Sequence, residues 1–361
     1  MINIAIMGYG VVGRGTARVF EENASLIEKR VGDKVNVKYI LDLLDFPGDK
    51  NESKIIHDFE IIVNDPNVSV VAEVMGGRRA AYTFTKRLLE AKKSVVTSNK
   101  ELVAYHGDEL LEIASANGVR YMFEASVGGG IPLLSPMIDS LCANEINAVC
   151  GIVNGTSNYI LTEMTAGKSF ADALLEAQKN GYAEADPTAD VEGHDACRKI
   201  CILAALSFGV LVEPEQGATV GISKITLDDI NNAEKENCVI KLIARAARLE
   251  NGKISLSVAP HKVPKTSPLS GVNGVNNAVL VSGNMVGDVM FYGPGAGSLP
   301  TASAVSADII NIAERMSAPG KNQCWKKDSA LVSSDEITGR DLEKMKNTAG
   351  LPLYDNSLVL A

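Results

Sequence analysis

The sequence contains few of the features that mark secreted, membrane-spanning or nucleic-acid-binding proteins. Its six cysteines are scattered over 361 residues without a Cys-x-x-Cys pair, which favours buried thiols in a reducing compartment over a disulfide framework. Cys197 and Cys201 lie one helical turn apart and would supply half of a metal site, but no second pair accompanies them. The net charge is −9 and no block of Lys or Arg occurs, so nucleic acid is not expected as a partner.

Long apolar runs and targeting signals are also missing. The most apolar run, residues 200–212, is too short to span a bilayer and predicts a buried helix and its exit. Residues 1–6 enter a strand directly, with neither a basic region nor a cleavage site. The length suffices for about two domains. We therefore expect a cytoplasmic, acidic, enzyme-sized protein with no membrane partner.

A dinucleotide-binding turn is indicated near the N-terminus. An apolar strand precedes the sequence GYGVVG at 8–13, and a single amphipathic helix is predicted over 12–31. Gly8, Gly10 and Gly13 would permit a tight turn, close approach to a pyrophosphate and close helix–strand packing. The helix N-terminus would attract the anion. A tight turn without a ligand is the weaker interpretation in this context.

The second predicted strand, Val35–Leu41, ends in an acid. Asp42 at that position can bind the adenosine ribose hydroxyls of NAD, whereas a basic residue would favour the extra phosphate of NADP. An acid that ends a strand in a turn is an equally good interpretation.

Strands and helices continue to alternate in the first part of the chain. We predict strands at 59–63, 68–74, 94–97 and 119–123, and helices at 80–91 and 108–116. Short connections between such elements predict an α/β fold with a doubly wound parallel sheet of the Rossmann type, with ligands at the carboxyl ends of the strands. Gly76, Gly77, Lys100 and the glycine-containing loop 124–132 fall on that edge. For Lys100 we favour a site role over that of a solvated lysine.

The second part of the chain predicts an α+β substrate domain with a mostly antiparallel sheet. Its predicted strands are 145–153, 239–249, 254–258, 278–282 and 288–291, and its helices include 159–165 and 170–180. A glycine-rich loop at 293–300 then leads into a helix at 301–316, and this loop would revisit the cofactor or act as a hinge. The expected domains are 1–135 for dinucleotide binding, 136–293 for substrate binding and dimerisation, 294–320 as a return segment packed on the first domain, and 321–361 as a tail.

The acidic segment 181–199 carries the main chemical signal. Asp195 and Lys199 stand four residues apart, so on a helix they share a face and can pair. A carboxylate that anchors a hydroxyl or amine beside an ammonium that can give a proton is an acid–base arrangement. The common alternative for this spacing is an exposed helical ion pair. The Pro/Gly loop and the apolar helix on either side favour a site.

Together these motifs resemble the homoserine dehydrogenase family over about residues 1–318. The resemblance rests on an ordered set of segments: 8–13, 73–77, 97–100, 124–132, 154–160, 181–199 and 293–297. It implies NAD(P)-dependent interconversion of L-homoserine and L-aspartate 4-semialdehyde, in the threonine and methionine branch of aspartate metabolism. It also implies a homodimer or homotetramer.

The resemblance assigns roles to individual residues. Glu184 and Asp195 would bind the substrate, Lys199 would give the proton to the carbonyl oxygen, and Lys100 would lie beside it near the nicotinamide. The residues expected to line the cofactor are Gly8, Gly10, Val11, Val12, Gly13, Asp42, Thr97, Lys100, Gly181 and Gly297. Family members also carry a monovalent cation, usually sodium, on oxygen ligands, and the matching residues are Glu124, Val127, Gly129 and Ile131.

Two departures from the family pattern affect these expectations. Leu44 stands where many relatives place an arginine after the second strand, so NAD is expected to serve at least as well as NADP. The residues after Gly320 are too few and too polar for the ligand-sensing ACT domain that many relatives append, so feedback by threonine through such a domain is not expected.

Two other functions fit parts of the sequence. An aspartate semialdehyde dehydrogenase would need a reactive thiol near the cofactor loop, whereas Cys142, Cys150 and Cys197 stand in apolar contexts. A nucleotide sensor without catalysis should have lost Lys199 or Asp195, and both are present.

Overall fold

A computed structural model describes residues 1–249, 252–318, 320–327 and 331–332. The chain divides into two compact units. The first unit comprises residues 1–132 and 297–325, and the second comprises residues 133–296 with the described residues from 326 onward. Most of the predicted tail, residues 328–330 and 333–361, lies outside the described residues, and so does the expectation about an ACT domain.

The strands of the described residues are numbered in chain order: β1 Ile2–Met7, β2 Val35–Leu41, β3 Ile55–Ile56, β4 Val68–Glu73, β5 Ser94–Thr97, β6 Tyr121–Met122, β7 Ile146–Ile152, β8 Val210–Leu211, β9 Ala218–Thr219, β10 Cys238–Arg248, β11 Ile254–Pro264, β12 Asn276–Gly283, β13 Gly287–Pro294, β14 Lys326–Lys327 and β15 Leu331–Val332.

The α-helices of the described residues are α1 Val11–Glu22, α2 Ala24–Val31, α3 Phe59–Asn64, α4 Arg79–Glu90, α5 Lys100–Ala116, α6 Leu134–Asp139, α7 Gly155–Thr165, α8 Phe170–Lys179, α9 Thr188–Val191, α10 His194–Phe208, α11 Leu227–Lys235 and α12 Ser298–Glu314.

The first unit contains the predicted parallel sheet. Its six strands run in the order β3-β2-β1-β4-β5-β6 with parallel pairing throughout. The central strand β1 is buried on both faces, as the continuous apolar sequence from Ile4 to Met7 requires. The Rossmann-type arrangement predicted from the sequence is confirmed, and it brings the ends of β1, β4 and β5 to one edge.

Helix α12 packs in the first unit against α1. A Cβ on Gly15 would lie 2.9 Å from the Cβ of Ala302, so only glycine allows the two helices to approach this closely. The hydroxyl of Ser298 donates to the carbonyl of Val11 at 3.0 Å. The N-termini of α1 and α12 therefore lie side by side.

The predicted strand at 59–63 is wrong, because these residues form helix α3. The side chain of Asp58 accepts a hydrogen bond from Glu60 N and caps the helix. Phe59 and Ile62 are buried, and their spacing of three residues suits one helical face. A short apolar run does not distinguish a strand from a short buried helix.

Two helix predictions had wrong limits. The helix expected over 12–31 is broken at Asn23, which ends α1 and precedes α2. The helix expected at 108 begins eight residues earlier, at Lys100, because the side chain of Asn99 accepts a hydrogen bond from Leu102 N.

The second unit contains the predicted, mostly antiparallel sheet. Its main path is β13-β12-β7-β10-β11-β15, and β9 also pairs with β11. The β10–β11 ladder runs from Cys238 opposite Pro264 to Arg248 opposite Ile254. The apolar helix α10 contacts β7, β10 and β11 and ends at Gly209 in a left-handed conformation.

Within the described residues, no helix combines the length and the apolar character that crossing a membrane requires. The same residues contain no group of three or more His, Cys, Asp or Glu side chains arranged to hold a metal ion. Cys197 and Cys201 are both buried thiols, as the sequence suggested.

Candidate active site

Lys199 and Asp195 form a buried ion pair on α10. Gly193, with φ = 79°, precedes the helix, so Asp195 falls in its first turn and Lys199 one turn later. The ammonium nitrogen of Lys199 lies 2.7 Å from Asp195 Oδ2. Asp195 is 3% exposed and Lys199 is 8% exposed. The predicted pairing is present, and its burial distinguishes it from the exposed ion pair that this spacing usually forms.

The end of strand β7 supplies a second acceptor for Lys199. Its ammonium donates to the carbonyl oxygen of Val153 at 2.6 Å. A carboxylate and a main-chain carbonyl therefore hold the ammonium in one position, which offsets the cost of burying its charge.

Asn154 connects this pair to the start of α7. Its Oδ1 accepts a hydrogen bond from Ser157 N at 2.8 Å and so caps α7. Its Nδ2 donates to Asp195 Oδ2 at 2.8 Å and to Asp190 Oδ1 at 2.7 Å. The contact between Asn154 and Asp195 has no signal in the sequence, because the two residues lie 41 positions apart.

Glu184 lies in the loop after α8 and is not among the residues that contact the ion pair in the hydrogen bonds given above. It is exposed, and within the described residues its carboxylate makes no hydrogen bond or ion pair. Its main-chain carbonyl accepts from Gln178 Nε2 at 3.1 Å. Gly181, in the same loop, has φ = 75° and is also exposed. The structure thus unites Lys199 and Asp195 but leaves Glu184 and Gly181 on an exposed loop.

The glycines of the dinucleotide turn meet the predicted steric demands. Gly8 has φ = 97°, and a Cβ there would lie 2.8 Å from the carbonyl oxygen of Val74. A Cβ on Gly13 would lie 2.0 Å from the carbonyl oxygen of Gly8. Gly10 precedes α1 without a side-chain cap, and a Cβ there would meet no atom within 4 Å. This open helix N-terminus, which continues into Val11 and Val12, is suited to a pyrophosphate.

Asp42 is tied to this turn. Its Oδ2 accepts from Tyr9 N at 2.6 Å, and its Oδ1 accepts from Leu44 N at 3.0 Å. These contacts support a role in shaping the strand end and place the carboxylate beside the glycine turn. Leu44 itself is 64% exposed.

Three basic side chains in the segments around the glycine turn and Asp42 are engaged with other groups. Lys38 pairs with Asp65, and Lys50 pairs with Glu21. The guanidinium of Arg14 lies 5.1 Å from the ring centroid of Tyr9 and 4.9 Å from that of Phe46. Arg14 also lies 3.4 Å from Asp49.

Glu73, Thr97 and Asn99 form a network at the ends of β4 and β5. Glu73 Oε2 accepts from the hydroxyl of Thr97 at 2.6 Å, and Thr97 Oγ1 accepts from Asn99 N at 2.9 Å. Asn99 in turn caps α5, whose first residue is Lys100. Glu73 is fully buried, and this burial raises its pKa to about 7. Apart from the motifs themselves, no side-chain pattern in the sequence predicts this network.

The loop matched to a cation site is buried. Val127 is fully buried, Ile131 and Glu124 nearly so, and Gly129 has φ = 55°. Within the described residues, no hydrogen-bond donor reaches the carbonyl oxygens of Val127, Gly129 or Ile131. Buried carbonyl oxygens without a protein donor are ligands that a hard monovalent cation accepts, so these residues fit the group.

Asp308 of α12 holds one end of this loop. Its Oδ2 accepts from Glu124 N at 2.8 Å. At the N-terminus of α12, Gly297 has φ = 130° and precedes Ser298, which contacts Val11. The glycine-rich segment therefore returns to the dinucleotide turn within the first unit.

Comparisons with known proteins cover both units. A family model described as homoserine dehydrogenase matches residues 132–310, and one described as the NAD binding domain of homoserine dehydrogenase matches residues 8–124. The homoserine dehydrogenase of Pseudomonas aeruginosa is 42% identical over 324 residues, which cover 89% of this chain and 74% of the relative.

Solved structures give the same result. A homoserine dehydrogenase from Thiobacillus denitrificans superposes with a TM-score of 0.84 at 42% identity, covering 88% of this chain and 74% of that chain. A hyperthermophilic archaeal homoserine dehydrogenase in complex with NADPH gives a TM-score of 0.74 at 30% identity, covering 89% of this chain and 99% of that chain. The chain therefore belongs to the homoserine dehydrogenase family of NAD(P)-dependent oxidoreductases.

Proposed function

We propose that the reaction of this family, interconversion of L-homoserine and L-aspartate 4-semialdehyde, takes place at the cluster of Lys199, Asp195 and Asn154. The observation that carries the proposal is the burial of the Lys199–Asp195 pair, with Lys199 also held by the carbonyl of Val153. An exposed pair at this spacing would have no such second anchor. A fixed ammonium in a partly dry site stabilises the negative charge that develops on a carbonyl oxygen.

Lys199 acts as the acid in the reducing direction. The bound nicotinamide supplies the hydride to the aldehyde carbon. Lys199 Nζ gives a proton to the aldehyde oxygen, which becomes the hydroxyl of homoserine, and the lysine is left as an amine. In the oxidising direction the same nitrogen takes the hydroxyl proton.

Asp195 and Glu184 bind the substrate. Asp195 is held by Lys199 and Asn154, so its position is fixed before substrate binds. Glu184 stands on an exposed loop after α8, and we assign it to the substrate ammonium because a carboxylate pairs with that charge.

The nucleotide would lie along the carboxyl edge of the parallel sheet. The family resemblance also assigns Gly181 to nucleotide binding. The residues of the first unit that hold the nucleotide are Gly8, Gly10, Val11, Val12, Gly13, Asp42, Thr97, Lys100 and Gly297. Because Asp42 is an acid and Leu44 carries no charge, NAD is used at least as well as NADP. The archaeal relative was solved in complex with NADPH. A preference for NADP over NAD is therefore the main alternative outcome to test.

The loop around Val127, Gly129 and Ile131, with Glu124, holds a monovalent cation such as sodium. The bound ion would supply positive charge to carbonyl oxygens that no protein donor reaches within the described residues. Thermal unfolding in sodium chloride and in choline chloride at equal ionic strength tests this assignment. A higher melting temperature in sodium supports it, because a ligand that binds only the folded state stabilises that state, and equal melting temperatures contradict it.

The proposal includes assembly into a homodimer or homotetramer and a cytoplasmic location. Strand β13 is an edge strand of the second sheet within the described residues, and it carries the exposed side chains of Met290 and Tyr292. An exposed edge with apolar side chains is a pairing surface, which supports a homodimer or homotetramer.

The thiols of Cys197 and Cys201 support a cytoplasmic location, and the reaction would serve threonine and methionine biosynthesis.

The test is a spectrophotometric assay at the NAD(P)H absorbance band with L-homoserine and each nucleotide. Reduction of the nucleotide that depends on homoserine supports the proposal. Binding of the nucleotide without turnover would indicate a sensor. Reduction only with the semialdehyde and phosphate would indicate an aspartate semialdehyde dehydrogenase, although Cys150 and Cys197 are buried and the pKa of Cys150 is raised to about 12 by burial.

A further inference from the structure

Glu73 is a fully buried carboxyl group at the cofactor edge of the first unit, outside the residues assigned above. It is the last residue of β4. Its Oε1 accepts from Met75 N at 2.9 Å and its Oε2 accepts from the hydroxyl of Thr97 at 2.6 Å. One carboxyl group therefore joins the loop that follows β4 to the end of β5.

The network continues to the first residue of α5. Thr97 Oγ1 accepts from Asn99 N at 2.9 Å. Asn99 Oδ1 accepts from Leu102 N at 3.0 Å and caps the helix that begins with Lys100. Asn99 Nδ2 donates to the carbonyl of Gly77 at 2.8 Å, which closes the network back onto the loop after β4.

The loop after β4 also contacts the dinucleotide turn. A Cβ on Gly8 would lie 2.8 Å from the carbonyl oxygen of Val74, so the two segments already touch at main-chain distance. Val74 N donates to the carbonyl of Met7 at 2.9 Å. The position of the loop at Val74 thus sets the position of Gly8, which is where a pyrophosphate would approach.

Thr97 is the donor in its hydrogen bond with Glu73. Thr97 Oγ1 accepts from Asn99 N, so its own hydroxyl proton is directed to Glu73. Glu73 accepts from Met75 N at its other oxygen. A carboxylate accepts at both oxygens and satisfies both contacts. An amide in its place would turn its NH2 group either toward Met75 N–H, which is also a donor, or toward Thr97, whose hydroxyl proton would then lose its acceptor.

Stability alone does not account for a carboxyl group at this position. Burying an acid costs free energy unless its hydrogen bonds offset that cost, and an apolar residue of similar size avoids the cost. Both hydrogen bonds that the Glu73 carboxylate accepts come from the ligand-binding edge of the sheet, one from Met75 N in the loop after β4 and one from Thr97 at the end of β5.

We propose that Glu73 is a positioning residue for the nicotinamide nucleotide, acting through Thr97 and Asn99 to fix the start of α5 and through the 74–77 loop to fix Gly8. The inference rests on the proposed function in one respect, namely that Lys100 acts near the nicotinamide. Its effect on nucleotide binding does not depend on any substrate.

The experiment compares Glu73→Gln, Thr97→Val and Thr97→Ser in the full-length chain. The dissociation constants of NADH and NADPH are measured by the fluorescence of the reduced nucleotide, without substrate, and melting temperatures are measured in parallel. At pH 8, above the pKa of Glu73, Glu73→Gln and Thr97→Val should each weaken binding of the preferred nucleotide roughly tenfold, since each removes a hydrogen bond to the carboxylate. Thr97→Ser keeps the hydroxyl that contacts Glu73, so it should lose much less affinity than Thr97→Val.

Thr85→Val is the matched control. Thr85 is also fully buried in the first unit, and within the described residues its hydroxyl has no hydrogen-bond partner. Its replacement removes a buried hydroxyl outside the network, so nucleotide binding should not change.

A double-mutant cycle separates this role from a general structural one. If Glu73 acts on turnover through the start of α5, then Glu73→Gln should lower kcat much less in a Lys100→Ala background than in the unmodified background. Unchanged nucleotide affinity in Glu73→Gln, or equal losses in Thr85→Val and Thr97→Val, would overturn the proposal. A protein that binds nucleotide through this network but does not oxidise homoserine would contradict the proposed function and leave the role of Glu73 standing.

Discussion

Lys199 Nζ lies 2.7 Å from Asp195 Oδ2 inside the second unit, whereas the equally spaced Arg18–Glu22 pair in the first unit, at 2.8 Å, is more than half exposed. The spacing of four residues is the same, so the difference comes from the surroundings of α10. That helix is buried along most of its length and meets β7 at its polar end. The buried pair is the one in which loss of either charge leaves the other uncompensated.

Replacing Asp195 or Glu184 should act mainly on the use of homoserine. Asp195→Asn removes the negative charge that pairs with Lys199, and Glu184→Gln removes the charge assigned to the substrate ammonium. Both variants should raise KM for homoserine at least tenfold. Asp195→Asn should also lower kcat. Asp186→Asn, an exposed acid in the same loop, is the control. Steady-state kinetics with saturating nucleotide measure the effect. A loss of nucleotide affinity with an unchanged KM for homoserine would show that the roles are assigned wrongly.

Cofactor preference should respond to residue 44. Leu44 is exposed beside Asp42, and an acid near a ribose 2′-phosphate repels it. Leu44→Arg should shift the ratio of kcat/KM for NADP over NAD upward by roughly tenfold, because a guanidinium binds phosphate bidentately. Leu43→Arg, one residue earlier and more exposed, is the matched control. Strong preference for NADP in the unmodified protein would point instead to Arg14, which lies over the ring of Tyr9.

Gly295 should be intolerant of a side chain for a steric reason. A Cβ there would lie 2.1 Å from Cγ of Asn277, which is fully buried at the start of β12. Gly295→Ala should lower the free energy of unfolding by about 1–3 kcal/mol through overpacking. The added cost should shrink in an Asn277→Ala background, where the clash is gone. Gly271→Ala, which would meet no atom within 4 Å, should cost less. Equal costs at Gly271 and Gly295, measured by urea unfolding, would contradict the close packing.

The free energy of unfolding should depend on pH because Glu73 titrates. Burial raises its pKa to about 7 in the folded state, above its ordinary value of 4.5. The folded state therefore binds more protons than the unfolded state between these values. The contribution of Glu73 to the free energy of unfolding is largest below pH 4.5, is lost as the pH rises toward about 7, and is constant above it.

Glu73→Gln removes this dependence. The free energy of unfolding of the variant relative to the unmodified protein should rise between about pH 5 and about pH 8, by an amount on the order of 3 kcal/mol at most. Tyr121 also faces Glu73, but burial first and the charge of Glu73 second raise the pKa of its hydroxyl well above 10, so it stays neutral in this range. Urea unfolding at several pH values measures the difference. A constant difference across the range would mean that Glu73 does not titrate there.

Sequence patterns predicted the elements whose physical signal is local. The glycines of the 8–13 turn follow a strand and open a helix, and the steric limits at Gly8 and Gly13 are those that the pattern implies. Asp195 and Lys199 were found because a spacing of four residues is itself the signal for a shared helical face. The alternation of short apolar strands with helices was sufficient for the parallel sheet.

Contacts between distant segments could not be predicted in this way. Asn154 meets Asp195 across 41 residues, and Thr97 meets Glu73 across 24 residues, and neither spacing has a pattern in the sequence. The helix α3 was mistaken for a strand because a short segment with four apolar residues and one glutamate fits both structures. A cation site made of main-chain oxygens at Val127, Gly129 and Ile131 has almost no side-chain signal, so it followed only from the family resemblance.

Lys199 as the acid–base group is tested by the turnover of Lys199→Ala, with nucleotide binding measured on the same preparation. We expect kcat for homoserine oxidation to fall by a factor of ~10²–10⁴ while the affinity for NADH is retained, because the dinucleotide turn lies in the other unit. Arg18→Ala, from the exposed pair of the same spacing, should leave both quantities unchanged. A Lys199→Ala protein that folds, binds nucleotide and turns over at nearly the unmodified rate would show that Lys199 is not the acid–base group.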